Sequence, residues 1–211
     1  DAVVFTKRQV PTVSIEDSPV VFVGHGVVAP EYGWNDYAGV DMQGRTALIL
    51  INDPGFATGD EALFRGRALT YYGRWTYKFE EAARQGAAAA LIVHESEPAA
   101  YGWTTVVNSW ANPQLDMQAA DGRAGRVAVE GWVTQARAAA LLAAAGQDFG
   151  ALKQAASTRG FKAVPLDARA SAAVRNGLRK SNSANVIAAI RGSQRPDEYV
   201  FYLAHWDHLG R

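Results

Sequence analysis

The sequence predicts an α+β chain: a β-rich domain with flanking helices, followed by the opening strands of a second, α/β domain. Three observations lead there. Residues 20–28 and 45–51 are apolar runs of strand length separated by glycine- and turn-rich segments. A helical periodicity beginning at Trp75 passes directly into an alanine-rich apolar run, giving a strand, helix, strand unit. Residues 199–204 form an unbroken apolar run after the turn residues Arg195-Pro196-Asp197, the pattern of a strand covered on both faces in a mostly parallel sheet. A boundary near residue 160 is expected, dividing the chain into domains 1–160 and 161–211.

With 211 residues, 48% of them apolar, the chain can bury one sizeable core or two modest ones. Lysine plus arginine, 21, equals aspartate plus glutamate, 21. That balance leaves no electrostatic footprint for nucleic acid or an anionic membrane, and neither is expected as a partner. Cysteine is absent, so any metal must be held by histidine and carboxylate. No apolar stretch reaches membrane-spanning length, and Asp1-Ala2-Val3-Val4-Phe5 has no basic leader, so the chain is expected to begin after any signal.

Taken in order, the run 20–28 reads as a strand whose glycines, Gly24 and Gly26, mark a bulge or turn. His25 between them is a turn or bulge residue, with a ligand role as the alternative. Residues 30–37, aromatic and turn-rich, form a loop packed by their own rings. The strand at 45–51 stops at Asn52-Asp53-Pro54-Gly55, a turn signal. Asp53, Asp60 and Glu61 lack the alternating spacing of a calcium loop and are expected as solvated carboxylates.

Trp75, Phe79, Ala82, Ala83 and Gly86 recur at helical steps, with Gly86 as C-cap and residues 87–93 as the returning strand. His94-Glu95-Ser96-Glu97 lacks the second histidine of a metalloprotease helix, since Pro98 stands there, and is read as a strand end and loop. Residues 99–124 are expected as loop and 126–133 as a strand. Thr134 and Asp148 cap two helices, the first running to Gly146. Residues 161–179 suggest a long strand pair leading to strands at 185–190 and 199–204.

The chemistry gathers at the end of the chain, in His205-Trp206-Asp207-His208-Leu209-Gly210. Ligands collect beyond the carboxyl ends of parallel strands. A histidine ligand needs an acceptor on its second ring nitrogen, and Asp207, two residues on, would point to the same side of an extended segment as His205. Ordinary partly buried histidines are the alternative. The stretch Ser183-Ala184-Asn185-Val186-Ile187, Gly192, Asp197-Glu198-Tyr199-Val200 and Ala204-His205-Trp206-Asp207-His208-Leu209-Gly210 resembles the opening of the catalytic domain in the M28 family of zinc aminopeptidases. That resemblance implies His205 as a ligand to one of two zinc ions and Asp207 as the active-site residue that orients it. The family's other ligands fall downstream of this point.

A second group, Arg67, Tyr71, Tyr72 and Arg74, precedes the helix and can bind a peptide carboxylate or backbone through arginine forks and tyrosine hydroxyls; the alternative is a solvated loop that pins the helix start. The segments Val28-Ala29-Pro30-Glu31-Tyr32-Gly33-Trp34, Asn52-Asp53-Pro54-Gly55-Phe56 and Leu69-Thr70-Tyr71-Tyr72-Gly73-Arg74-Trp75-Thr76-Tyr77-Lys78 resemble the protease-associated domain inserted in bacterial members of that family. The likeness implies a domain that leans over the zinc site and shapes access of a peptide substrate, in a secreted or periplasmic protein. The chain is then the front part of a zinc exopeptidase, inactive by itself. Two other classes stay open: a non-catalytic peptide- or protein-binding module, and a scaffold homologue that has lost its metals.

Overall fold

The computed structural model describes residues 1–205. The chain divides into two units, Asp1–Leu178 and Arg179–Arg211. The strands of the first unit are β1 (Ala2–Phe5), β2 (Thr12–Phe22), β3 (Val28–Ala29), β4 (Trp34–Asn35), β5 (Thr46–Leu50), β6 (Ala89–His94), β7 (Val129–Thr134) and β8 (Val164–Arg175). The helices are α1 (Pro54–Thr58), α2 (Trp75–Arg84), α3 (Ser96–Ala99), α4 (Trp103–Trp110), α5 (Gln135–Ala144) and α6 (Phe149–Ala156). The result is a mixed α/β fold. A six-stranded sheet runs in the order β1-β7-β6-β5-β2-β8, and β3 and β4 form a small separate ribbon.

The sheet is parallel where it is buried. β2, β5, β6 and β7 pair in parallel, whereas β1 and β8 close the two edges antiparallel. The parallel strands are apolar on both faces because each face is covered by helices. Val21, Ala47, Ile49, Ala90, Ile92 and Trp132 point to one side, where Phe79 and Ala82 of α2 and Val106 of α4 meet them. The alternate residues Phe22, Leu48, Leu50, Val93 and Val133 point to the other, against Ala138 and Leu142 of α5 and Leu152 and Ala156 of α6.

Local signals place the helices. Thr134 Oγ1 accepts from the Arg137 N–H at 3.3 Å, and Asp148 Oδ1 accepts from the Ala151 N–H at 2.7 Å, so both caps sit where expected. Gly86, just past α2, takes φ +83°, a left-handed conformation that ends the helix.

Four expectations need correction. His94 does end β6, but Ser96 and Glu97, expected as loop, open the short helix α3 (Ser96–Ala99). Residues 99–124 contain a helix, α4, whose Thr104-Thr105-Val106-Val107 is β-branched and therefore weak in propensity. Packing overrides it: Val106 is buried in the core, and Trp103 and Trp110 lie against it. The long strand pair at 161–179 is a single strand, β8, hydrogen-bonded to β2. Residues 185–190 and 199–204 are not strands: among the described residues of the second unit there is neither helix nor strand. Tyr199, Val200, Phe201, Tyr202 and Leu203 are each at least 72% exposed. A strand meant for burial on both faces needs neighbours to complete its hydrogen bonds, and none of the described strands pairs with this run. Local contacts in this unit include an Arg195–Glu198 ion pair at 2.9 Å, a turn in which the Glu198 N–H donates to the Arg195 carbonyl at 3.2 Å, and a stack of Tyr199 on Phe201. Among the described residues no helix is long and apolar enough to cross a membrane.

Gly131 of β7 shows how tightly the β1 edge is packed. A Cβ at this position would stand 2.8 Å from the Val3 carbonyl oxygen and 2.9 Å from Leu91 Cδ2, whereas one at Gly177 would meet nothing within 4 Å. Gly131→Ala should therefore destabilise the protein by about 1–3 kcal/mol in urea unfolding. Gly177→Ala should stay within about 0.5 kcal/mol of wild type.

Candidate functional site

The carboxyl edge of the parallel strands, where open α/β sheets present their ligand-binding groups, carries the densest group of buried charge. After β2 the chain turns through Gly24, His25 and Gly26, both glycines at positive φ. After β5 it turns through Asn52, itself at φ +65°, into Asp53 and α1. The two turns are joined by His25 Nδ1, which lies 3.2 Å from the Asn52 carbonyl oxygen. A carbonyl only accepts, so the ring proton sits on Nδ1 and Nε2 is a bare acceptor. That Nε2 is buried with no partner among the described residues.

Lys78 of α2 reaches the same place and donates from Nζ to the His25 carbonyl at 2.6 Å. Its side chain is wholly buried. Asp36 accepts from the Val27 N–H at 2.9 Å and from Trp34 Nε1 at 2.7 Å. Asp53 accepts from the Thr70 hydroxyl at 2.6 Å. Burial pushes Lys78 down to about 7, opposed by the negative charges of Asp36 and Asp53. Burial likewise pushes Asp36 up to about 7, opposed by its hydrogen bonds and by Lys78. His25 is held at about 3, chiefly by burial and then by the charge of Lys78.

His25, Asp36, Asp53 and Lys78 are each at most 3% exposed, and Asp36, Asp53 and Lys78 make hydrogen bonds that join separate segments of the chain. We read this cluster as the pin of the loops. The turn role of His25 stands beside a burial its glycine neighbours did not announce. Asp53 is buried and hydrogen-bonded, correcting its expected solvation; Asp60 and Glu61 are exposed. Lys78 and Asp36 were not foreseen. A lysine amid the apolar recurrence of α2 was the available signal.

The arginine and tyrosine group lies on the loop before α2. Gly73 packs so closely on Asn52 and Asp53 that a Cβ would stand 2.7 Å from Asn52 Oδ1. The Tyr71 hydroxyl donates to Glu80 at 2.7 Å and the Tyr72 hydroxyl to Glu31 at 2.6 Å. The second bond lifts Tyr72 to about 12. The Tyr72 ring also meets Phe64 and Tyr77 edge-on. Arg67 covers Phe56 and faces Glu97 at 3.7 Å, and Arg74 is exposed. His205, in the second unit, is exposed, and Asp207 and His208 lie outside the described residues.

No family model matches the chain. No curated protein matches it either. Among solved structures it is similar to an aminopeptidase from Aneurinibacillus sp. strain AM-1, at 21% identity and a TM-score of 0.34, over 82% of this chain and 29% of that one. The chain therefore spans less than a third of that protein's length.

The depressed His25 value has a signed consequence. Its stabilising contribution is complete above the unfolded value of 6.5 and is lost as pH falls toward about 3, because the unfolded chain takes up the proton first. The raised Asp36 value acts in the opposite sense, and comparison with a His25 variant cancels it. The stability of wild type relative to His25→Gln should fall by up to about 1.4 kcal/mol per pH unit below pH 6.5 in urea titrations. A pH-independent difference would mean that His25 is not held neutral.

Proposed function

We propose that the chain is the forward part of a zinc-dependent aminopeptidase of the M28 type, its sheet-containing unit acting as the protease-associated domain that shapes access of a peptide to the metals. The observation that carries this reading is the order of residues in the tail: an apolar run, then His205, then Asp207 two positions on, within a longer stretch resembling the start of that family's catalytic domain. Among the described residues no group of three or more histidine, aspartate or glutamate side chains could hold a metal ion. In this reading the first unit shapes access and contributes no metal ligand.

A bound zinc pair would supply Lewis-acid chemistry, polarising the scissile carbonyl and lowering the pKa of a water. In this reading His205 would hold one zinc, and Asp207 would accept from its second ring nitrogen, fixing the tautomer and ring direction. Arg67, Tyr71, Tyr72 and Arg74 would face the peptide and position it. Export to the periplasm or outside the cell belongs to the same reading. The alternative reading is a non-catalytic peptide- or protein-binding module, or a metal-free scaffold homologue.

Hydrolysis of aminoacyl p-nitroanilides separates the two. In the complete protein, His205→Ala should nearly abolish turnover, and Asp207→Asn should lower metal affinity or rate by roughly 10- to 100-fold. The 211-residue chain with added zinc should show none. Wild-type rates in either variant, or zinc-dependent turnover by the chain alone, would contradict the assignment.

A further inference from the structure

On the α2 and α4 side of the sheet, beside the β1 edge, a cleft of about 270 Å³ is lined by Trp75, Tyr101, Trp110 and Trp132, with Lys7 as its one charged lining residue. The rings are held in fixed attitudes. Trp110 stacks on Phe5 at 3.5 Å and 12°, and meets Trp75 edge-on at 6.0 Å. Two polar features do not fit a merely apolar depression. The Trp132 side chain is only 2% exposed, yet its Nε1 N–H has no acceptor among the described residues. A buried indole N–H ordinarily finds one. Lys7 Nζ lies 5.3 Å from the Trp110 ring centroid and has no ion-pair partner within 4 Å among the described residues.

We propose that this cleft binds an aromatic carboxylate of amino-acid size. The volume falls just under the roughly 300–1,000 Å³ of pockets for drug-sized ligands, so it suits one ring-bearing group. Indole faces and edges match a flat apolar ring. The Trp132 N–H offers a hydrogen bond to an acceptor oxygen on the ligand, and Lys7 offers a charge to its carboxylate. This site is separate from the metal reading and does not depend on it. Both a free N-acylated amino acid and the C-terminal residue of a peptide carry this chemistry.

The test is a titration of the full chain with N-acetyl-L-phenylalanine, followed through the indole N–H signals in nitrogen–proton correlation spectra. Trp132 is identified as the signal absent from Trp132→Phe. We expect a saturable shift of that signal. N-acetyl-L-phenylalanine amide should bind about fivefold more weakly, and Lys7→Gln should bind acid and amide alike, the scale of one partly exposed ion pair. Lys7 is partly exposed and outside the core clusters, so its variant should fold normally, which the same spectra report. Equal binding of Gly-Gly-Phe assigns peptide C-termini; binding of the acetylated amino acid alone assigns small carboxylates. An unmoved Trp132 signal, or equal affinity of wild type for acid and amide, overturns the proposal.

Discussion

The wholly buried amino group of Lys78 is the constraint on which the carboxyl edge of the sheet depends. A charge removed from water must be met inside the protein or given up. Here the His25 carbonyl meets it directly, at 2.6 Å, while Asp36 and Asp53 supply the opposing charge. Those three groups come from the turn after β2, the segment after β4 and the turn after β5. α2, which carries Lys78, is thereby tied to loops that its apolar face alone would not orient. Asn52 holds its left-handed backbone by its own side chain, which accepts from the Asp53 N–H at 2.8 Å and donates to the Pro98 carbonyl at 2.8 Å.

This pin separates two kinds of chemistry. Buried ionisable groups with displaced pKa values in a cleft mark functional sites, but structural ion networks shift pKa values as well. Hydrogen bonding decides between them here. The charges around Lys78 are committed to protein partners, whereas Trp132, with its unpaired N–H, and Lys7 line a cleft of about 270 Å³. The loop of Arg67, Tyr71, Tyr72 and Arg74 lies between these extremes, with its tyrosines committed to Glu80 and Glu31 and Arg74 left in solvent.

Much of the first unit was legible in the sequence because its signals are local. Capping by Thr134 and Asp148, the glycine after α2 and the apolar runs of β5, β6 and β7 each act within a few residues. α4 was hidden because its residues disfavour a helix in isolation, and only the core contact of Val106 with the flanking tryptophans repays them. Asp53 was misread because a carboxylate in a turn looks the same whether or not a lysine distant in sequence will bury it. The run at 199–204 was misread for the converse reason: an apolar pattern states what a segment would bury if covered, and the cover must come from elsewhere.

The account makes Lys78 the partner that buried Asp36 and Asp53 require, and chemical unfolding of Lys78→Met at neutral pH tests that most directly. Methionine keeps the length and apolar stem of the side chain while deleting its charge and its bond to His25. The predicted result is a loss of about 1–3 kcal/mol, the cost of leaving the buried His25 carbonyl without its donor, with Asp36, already raised to about 7, taking up a proton where its opposing charge is lost. Unchanged or increased stability would contradict it, and the loops at the carboxyl edge would then be held by packing alone.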